Sequence, residues 1–242
     1  MDLLTKFSFT YESQQLALQW LQFLQHNNFN FENIKEINLT GKIPIIYDMA
    51  GNKFSIDFNE NRINYHKKKS TIKSEILSRA LGAGRAGLRV LDISAGLAID
   101  TVFLAQLGYQ VTALERNPLI FLALQRAYEQ CTEGFKINIK FFHASAIYFL
   151  NTNSEIFDVI YFDPMFPEKT KSALPRQEMV FFKSLVGNDS DAVAVLKQCV
   201  RRKGLNRVVV KRPLKAPVLG LKPHSHVDGK LIRFDIYGVQ HD

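Results

Sequence analysis

From residue 88 onward, short apolar runs alternate with segments of helical periodicity, and this alternation constrains the fold more than any other feature. It predicts strands at residues 88–93, 110–114, 137–142, 157–162, 207–210 and 231–239. It predicts helices at residues 97–107, from 118 onward, and at 146–150, 176–185 and 191–200. Such a series indicates an α/β, Rossmann-like fold, with a mostly parallel sheet and helices on both faces. Ligands of such folds bind outside the carboxyl ends of the strands.

The first part of the chain has a different pattern. Residues 16–24 have helical spacing, residues 42–47 and 53–58 alternate like short strands, and a third strand is predicted at 62–66. A helix at 71–81 then ends at a glycine-rich segment. We therefore expect a small α+β accessory unit over residues 1–70 and a larger α/β domain over 71–242, which 242 residues can accommodate.

Composition excludes several classes of protein. With 46% hydrophobic and 22% charged residues, the chain is expected to be globular rather than disordered. It has no apolar run of the roughly 18 residues that a membrane-spanning helix needs, and no secretory signal is recognisable. Cys131 and Cys199 are isolated, which is typical of reduced thiols in a cytoplasmic protein.

Positive charge is concentrated in two segments. Residues 60–90 carry 8 basic and 2 acidic side chains, and residues 197–242 carry 11 and 3, whereas the chain as a whole has a net charge of +8. The densest cluster is His66-Lys67-Lys68-Lys69. Two flanking basic segments indicate a surface that binds a polyanion such as RNA. Solvated faces that keep the protein soluble are the alternative interpretation.

Acidic residues mark the predicted carboxyl ends of the strands. Asp92 precedes the turn Ser94-Ala95-Gly96, Asp100 lies in the following helix, and Glu115 ends the next strand. A carboxylate in the position of Glu115 can accept hydrogen bonds from both hydroxyls of an adenosine ribose. The pattern is compatible with NAD, with S-adenosylmethionine, or with a structural turn that binds no ligand. The incomplete glycine fingerprint disfavours NAD, and the carboxylates suit a sulfonium and an ammonium better than a pyrophosphate.

The fourth predicted strand ends in Asp163-Pro164-Met165-Phe166-Pro167. This run resembles the D/N-P-P-F/Y motif of methyltransferases that act on amines. The Asp163 carboxylate and the Pro164 carbonyl can accept both N–H groups of an aromatic amine and aim its lone pair at a methyl group. Phe166 can stack on the base. A proline-rich strand exit with a buried Phe is the structural alternative.

Two further patterns bear on the chemistry. Methylation of a pyrimidine ring carbon needs a cysteine thiolate in the site, and neither cysteine lies at a predicted carboxyl end, so an amine target is favoured. His224, His226 and Asp228 alternate, but three ligands without a fourth match zinc poorly, and no metal is expected.

Several motifs together resemble the ribosomal RNA small subunit methyltransferase J family, over about residues 54–239. The run Asp163-Pro164-Met165-Phe166-Pro167 is one of them. The others are Leu114-Glu115-Arg116-Asn117-Pro118, Lys169-x-Lys171-Ser172-Ala173-Leu174, Glu178-Met179, Ser184-Leu185-Val186-Gly187, residues 207–213 and Arg233-Phe234-Asp235-Ile236-Tyr237. The resemblance implies a class I, S-adenosylmethionine-dependent methyltransferase that acts on N2 of a guanine in 16S rRNA, alone or in the small ribosomal subunit.

The resemblance also implies roles for individual residues. The catalytic residues would be Asp163, Pro164 and Phe166. The cofactor contacts that it implies are Ile99, Asp100, Glu115, Arg116, Ser145, Ala146 and Asp163, to which the pattern of the turn adds Asp92 and Gly96. RNA contacts are predicted from positive charge rather than from the resemblance, at His66, Lys67, Lys68, Lys69, Lys169, Lys171, Lys211 and Arg212.

The chain departs from the family pattern at three positions. The family turn usually has the sequence A-G-L-G-R-D, whereas Ala98 and Ile99 stand here in place of the second glycine and the arginine. Ala146 stands where the family tends to have a second serine. Backbone atoms of Ile99 and Ala146 would therefore make the cofactor contacts at these positions.

Three alternatives remain open at this point. The same amine chemistry would serve an adenine-N6 or protein-glutamine methyltransferase. A non-catalytic RNA-binding assembly factor would keep the fold without using the cofactor. An NAD oxidoreductase is the least favoured.

Overall fold

The computed structural model describes residues 2–59, 72–82, 87–131, 138–165, 177–187 and 189–239. Several predicted features lie outside these ranges: the strand at 62–66, the cluster His66-Lys67-Lys68-Lys69, Phe166, Pro167, Lys169 and Lys171. Within them, no helix has both the length and the apolar character that crossing a membrane requires.

The described helices are, in chain order, α1 (Gln14–His26), α2 (Ile72–Leu81), α3 (Ile99–Gln106), α4 (Pro118–Glu129), α5 (Ala146–Thr152), α6 (Gln177–Val186) and α7 (Ala192–Cys199). The strands are β1 (Phe7–Ser8), β2 (Ile34–Asn38), β3 (Ile45–Asp48), β4 (Lys53–Phe54), β5 (Arg89–Asp92), β6 (Gln110–Glu115), β7 (Ile139–His143), β8 (Val159–Phe162), β9 (Arg207–Pro213), β10 (Ser225–Asp228) and β11 (Ile232–Gly238).

Two compact units are distinguished by their internal contacts. The first contains residues 1–60, 117–136 and 167–188, and the second contains residues 61–116, 137–166 and 189–242. Each is therefore assembled from segments that are far apart in the sequence.

The first unit contains a four-stranded sheet of order β1-β2-β3-β4, in which β1 is parallel to β2 and the other pairs are antiparallel. Helix α1 buries Ala17, Trp20 and Leu24, the face that its periodicity predicts. Helix α4 begins as predicted: the Asn117 side chain accepts hydrogen bonds from the backbone N–H groups of its second and third residues.

The second unit contains a seven-stranded sheet of order β10-β11-β9-β8-β5-β6-β7. Strands β9, β8, β5, β6 and β7 are parallel, and β11 and β10 extend the sheet in antiparallel fashion. This confirms the predicted α/β fold. The sequence pattern missed β10, because its residues are mostly polar and exposed.

The second unit is covered on the two faces of its sheet by different helices. Helices α5 and α7 pack with Leu91, Ile160 and Val208 in one apolar core. Helix α2 contacts β9, β10 and β11, and α3 contacts β6 and β7. Because side chains alternate along a strand, Asp92, Tyr161 and Lys211 lie on the face opposite this core, two of them in register with each other.

Candidate functional site

The site lies at the carboxyl edge of the parallel strands in the second unit. Asp92 ends β5, Glu115 ends β6, and Asp163 follows β8 directly. Ser145 follows β7 and begins α5, where its side chain accepts a hydrogen bond from the backbone N–H of Tyr148 at 3.3 Å. The topology therefore brings together four polar side chains that are up to 71 residues apart in the sequence.

Asp92 holds the turn between β5 and α3. Its side chain is 1% exposed, and Oδ1 accepts a hydrogen bond from the backbone N–H of Ser94 at 2.9 Å. Oδ2 accepts a hydrogen bond from the Thr101 hydroxyl at 2.6 Å. The Ser94 hydroxyl in turn accepts a hydrogen bond from the backbone N–H of Asp163 at 2.8 Å, which joins the ends of β5 and β8.

Burial is also the main reason that the pKa of Asp92 is raised from 3.8 to about 6, to which Asp100 and Asp163 contribute by charge repulsion. The hydrogen bonds from Thr101 and Ser94 oppose this shift. The folded protein binds this proton more tightly than the unfolded chain does, so the protonated Asp92 adds to the free energy of unfolding in full below pH 4. That contribution is lost as the pH rises from about 4 to 6.

Asp92→Asn is therefore expected to stabilise the protein relative to the wild type above pH 6, by up to about 3 kcal/mol, and not below pH 4. The measurement is the free energy of unfolding by urea from pH 4 to 8. Asp228→Asn, which alters a carboxylate with about half of its side chain exposed, is the control. A difference between Asp92→Asn and wild type that stays constant across this range would contradict the prediction.

Glu115 closes the other side of the turn. It is 5% exposed, and its Oε2 accepts a hydrogen bond from the backbone N–H of Gly96 at 3.0 Å. The backbone N–H of Ala95 donates to the Leu114 carbonyl at 3.0 Å. The turn is thus fastened to the end of β6 by its backbone, with a carboxylate at the edge where the ribose of a bound nucleoside lies in such folds.

Ala98, which replaces the second glycine of the family turn, precedes α3 and has a φ of 54°, in the left-handed region. Glycine adopts this conformation freely, whereas an alanine there is strained by about 1 kcal/mol. The helix nevertheless begins at Ile99, whose side chain is 41% exposed. The turn is therefore compatible with an alanine at this position.

A second group of charged residues lies on the same face of the sheet. Asp100, in the first turn of α3, accepts hydrogen bonds at its Oδ2 from the Tyr161 hydroxyl and from Lys211 Nζ, both at 2.7 Å. Lys211 Nζ is also 2.7 Å from Asp163 Oδ2. The pKa of the Tyr161 hydroxyl is well above 10 because it is buried beside carboxylates, so it remains a donor at neutral pH.

Arg116 connects the end of β6 to the residues around Asp163. Its guanidinium donates to Asp189, and it also contacts Asp191 at 3.3 Å. Asp189 Oδ2 accepts a hydrogen bond from the backbone N–H of Met165 at 2.6 Å. Arg116 thus acts on the segment after Asp163 through an acidic residue located between α6 and α7.

Two of the residues predicted to contact RNA, Lys211 and Arg212, lie on β9 and contact other residues of the protein. Lys211 is engaged by two carboxylates rather than displayed on the surface. Arg212 is 4% exposed and donates to the Pro217 carbonyl, which does not favour a phosphate contact. Because side chains alternate along a strand, Lys211 and Arg212 are directed to opposite faces of the sheet, and each meets a partner within the fold.

Sequence reasoning missed Tyr161, Thr101 and Asp189. It named Asp100 and Asp163 but did not pair them with Lys211. The available signal was the lysine that directly follows three valines at residues 208–210, since a cation at the end of a buried strand needs a counter-ion. No comparable signal marked Asp189.

Neither cysteine ends a parallel strand, whereas His143 ends β7 in register with Glu115, and its Nε2 lies 3.1 Å from the Arg116 carbonyl oxygen. Burial raises the pKa of the Cys131 thiol to about 11 and that of Cys199 to about 12, so neither is a ready thiolate nucleophile. His226 Nε2 lies 3.6 Å from an Asp228 oxygen. In the described part of the chain, no three His, Cys, Asp or Glu side chains are grouped so as to hold a metal ion.

Comparisons with known proteins agree with this arrangement. A family model described as "Putative SAM-dependent methyltransferase" matches residues 38–239. A solved structure of a SAM-dependent methyltransferase from Neisseria gonorrhoeae has a TM-score of 0.71 to this chain, covering 96% of it and 95% of that protein. At 21% identity, that structure supports the fold.

Sequence relatives are more specific. Ribosomal RNA small subunit methyltransferase J of Bdellovibrio bacteriovorus is 40% identical over 198 residues, which cover 80% of this chain and 77% of the relative. The protein of the same name from Marinobacter nauticus is 36% identical, over 76% of this chain and 69% of the relative. The one from Haemophilus influenzae strain PittGG is 40% identical, over 75% of this chain and 74% of the relative. The carboxylates at the strand ends, the methyltransferase fold and these relatives lead to one conclusion: the chain belongs to the ribosomal RNA small subunit methyltransferase J family of S-adenosylmethionine-dependent enzymes.

Proposed function

We propose that this protein transfers a methyl group from S-adenosylmethionine to the exocyclic N2 of a guanine in 16S rRNA. The observation that carries the proposal is the position of Asp163, which follows β8 at the carboxyl edge, beside the turn that Asp92 and Glu115 hold. Amine methylation needs an acceptor for the N–H groups at this place. The names of the relatives supply the class of RNA.

The residues at the edge fit the cofactor by their chemistry. Asp92 and Asp100 are carboxylates on the turn and the first turn of α3, and Glu115 is a buried carboxylate at the end of the neighbouring strand. Acidic groups stabilise a cationic sulfonium and ammonium, and a carboxylate accepts ribose hydroxyls. When bound, S-adenosylmethionine supplies a methyl group activated by the positive sulfur.

The chain then orients the amine. The Asp163 carboxylate and the Pro164 carbonyl accept the two N–H groups of guanine N2, which turns the nitrogen lone pair away from the ring. Such alignment of reacting groups supplies most of the rate acceleration in a transfer of this kind. As the N–C bond forms, the bond between the methyl carbon and the sulfur breaks, and its electron pair stays on the sulfur. The methylated nitrogen is then strongly acidic, and the Asp163 carboxylate takes the proton that it releases. We propose that Phe166 stacks on the base.

The remaining assignments follow the same edge. We propose Glu115 as the ribose ligand, and Gly96, Ile99, Asp100, Arg116, Ser145 and Ala146 as further cofactor contacts, through backbone atoms at Ile99 and Ala146. RNA contacts are proposed for the basic cluster at residues 66–69 and for Lys169 and Lys171. The described residues of this edge all come after residue 70, and we propose that residues 71–242 carry the chemistry and that residues 1–70 are accessory to it, although the compact units are not continuous in the sequence.

The test is methyl transfer from isotopically labelled S-adenosylmethionine to small ribosomal subunits and 16S rRNA that lack this modification. The RNA is digested to nucleosides and analysed by mass spectrometry. Labelled N2-methylguanosine is the expected product. Label in another nucleoside or in protein would contradict the assignment of guanine N2 and identify a different substrate. Absence of cofactor binding would indicate an assembly factor instead.

A further inference from the structure

The cation between Asp100 and Asp163 is the feature that the proposed mechanism leaves unexplained. Lys211 Nζ lies 2.7 Å from Asp100 Oδ2 and 2.7 Å from Asp163 Oδ2. Its side chain is 20% exposed, that of Asp100 10% and that of Asp163 37%. An ammonium thus bridges a buried carboxylate and a more accessible one, which is the one placed to meet the substrate.

The sheet explains why the lysine is held here. Lys211 lies on β9 in register with Phe234 on β11, and its alternation with Val210 directs it to the face that Tyr161 occupies on β8. The ring centroids of Tyr161 and Phe234 are 6.4 Å apart. Three neighbouring strands therefore direct these side chains to one face, and the ammonium at the end of Lys211 reaches the carboxylates.

Asp100 anchors the ammonium on one side. The oxygen of Asp100 that contacts Lys211 also accepts a hydrogen bond from the Tyr161 hydroxyl, and Asp100 is fixed in the first turn of α3. Lys211 therefore has one partner that the fold holds in place. Its second partner is Asp163, whose backbone is also fixed through Ser94.

The charges that face Asp163 set its ionisation. Asp92 on β5 repels its negative form and Lys211 on β9 attracts it, while Asp100 on α3 is a second carboxylate in contact with the same ammonium. Burial lowers the pKa of Lys211, but the attraction of Asp163 and Asp100 outweighs burial and raises that pKa above its usual value, so the lysine stays charged. Without this cation, three carboxylates would share one face of the sheet, and carboxylates so placed take up protons at higher pH.

We propose that Lys211 is a positioning residue for methyl transfer, whose ammonium keeps Asp163 ionised and aimed at the substrate amine. This rests on the proposed function of Asp163. A protonated Asp163 would keep one acceptor oxygen but lose its negative charge, and it could not take up the proton that the methylated nitrogen releases. Lys211 acts through Asp163, without contacting the base.

The first test is a titration of the carboxyl groups in the full-length protein, free of cofactor and RNA, by NMR of 13C-labelled aspartate. Asp163→Ala identifies the Asp163 signal. In Lys211→Gln, which can still hydrogen-bond to both carboxylates but carries no charge, the midpoint of Asp163 is expected to rise by at least about one pH unit. Lys211→Met makes the same test without the hydrogen bonds. Lys140→Gln, a change at an exposed lysine on β7, is the matched control.

The second test is the pH profile of kcat for methylation of 16S rRNA at saturating cofactor. Lys211→Gln is expected to lose about tenfold or more in kcat at pH 7 and to move the acid limb of the profile to higher pH. Lys211→Arg restores the position of that limb, because it restores the charge.

The results distinguish a wrong inference about Lys211 from a wrong proposal about the reaction. If Lys211→Gln lowers kcat equally at all pH values and leaves the Asp163 midpoint unchanged, Lys211 is merely structural and the inference is wrong. If the wild-type protein does not methylate the RNA, the proposed function is wrong, whereas the titration, which needs no substrate, still reports whether Lys211 controls Asp163.

Discussion

Asp163→Ala is expected to reduce kcat for methylation of 16S rRNA by about 100- to 10,000-fold at saturating S-adenosylmethionine. The variant removes the acceptor that orients the amine and takes its proton, and general-base contributions of this kind have about that size. Over a third of the Asp163 side chain is exposed, so the truncation leaves no deep cavity, and Lys211 keeps its contact with Asp100. The fold is therefore expected to persist.

The measurement is single-turnover methyl transfer followed by nucleoside analysis, with circular dichroism to verify the fold. Asp163→Asn is a graded companion variant: its amide oxygen still accepts an N–H group but takes no proton, so we expect an intermediate rate. Asp228→Ala on β10, whose side chain is about half exposed and which is separated from β8 by β11 and β9, is the control. Activity of Asp163→Ala above a tenth of the wild-type value would remove Asp163 from the mechanism.

Glu115→Gln is expected to weaken S-adenosylmethionine binding by about 10- to 100-fold. A charged acceptor for hydroxyl groups contributes about 1.5–3 kcal/mol per hydrogen bond, and glutamine lacks the charge and has one acceptor oxygen in place of two. That oxygen can still accept the hydrogen bond from the backbone N–H of Gly96, which Glu115 Oε2 accepts at 3.0 Å, so the turn keeps its conformation.

Isothermal titration calorimetry with S-adenosylmethionine and S-adenosylhomocysteine makes this measurement directly. Both ligands contain the ribose, so both are expected to lose affinity by a similar factor, whereas a purely electrostatic role toward the sulfonium would affect the charged one more. Glu129→Gln, at an exposed residue at the end of α4, is the control. Equal affinity of Glu115→Gln and wild type for both ligands would show that Glu115 does not hold the ribose.

Most of the fold of the second unit could be predicted because its signals are local. Apolar strands such as β6 and β8 alternate there with helices such as α3 and α5. In the first unit the prediction was weaker. The strand expected at 53–58 is paired over Lys53–Phe54, and the parallel pairing of β1 with β2 joins segments that no periodicity connects.

The candidate site was predictable to the extent that its residues end strands. Because parallel strands end at one edge, the strand pattern of the sequence is enough to group Asp92, Glu115 and Asp163. Asp189 could not be included, since it belongs to the connection between α6 and α7, and its hydrogen bond to Met165 depends on how that connection folds back.

By itself, the sequence determined the class of fold, the edge that carries the chemistry, and the type of group at each strand end, because these follow from periodicity and residue type. The tertiary structure decided which charges meet. Lys211 and Arg212 are adjacent basic residues that sequence reasoning treats alike, yet one bridges Asp100 and Asp163 and the other donates to the Pro217 carbonyl. That difference arises from strand register and alternation across β8, β9 and β11, which are pairings between segments distant in the chain.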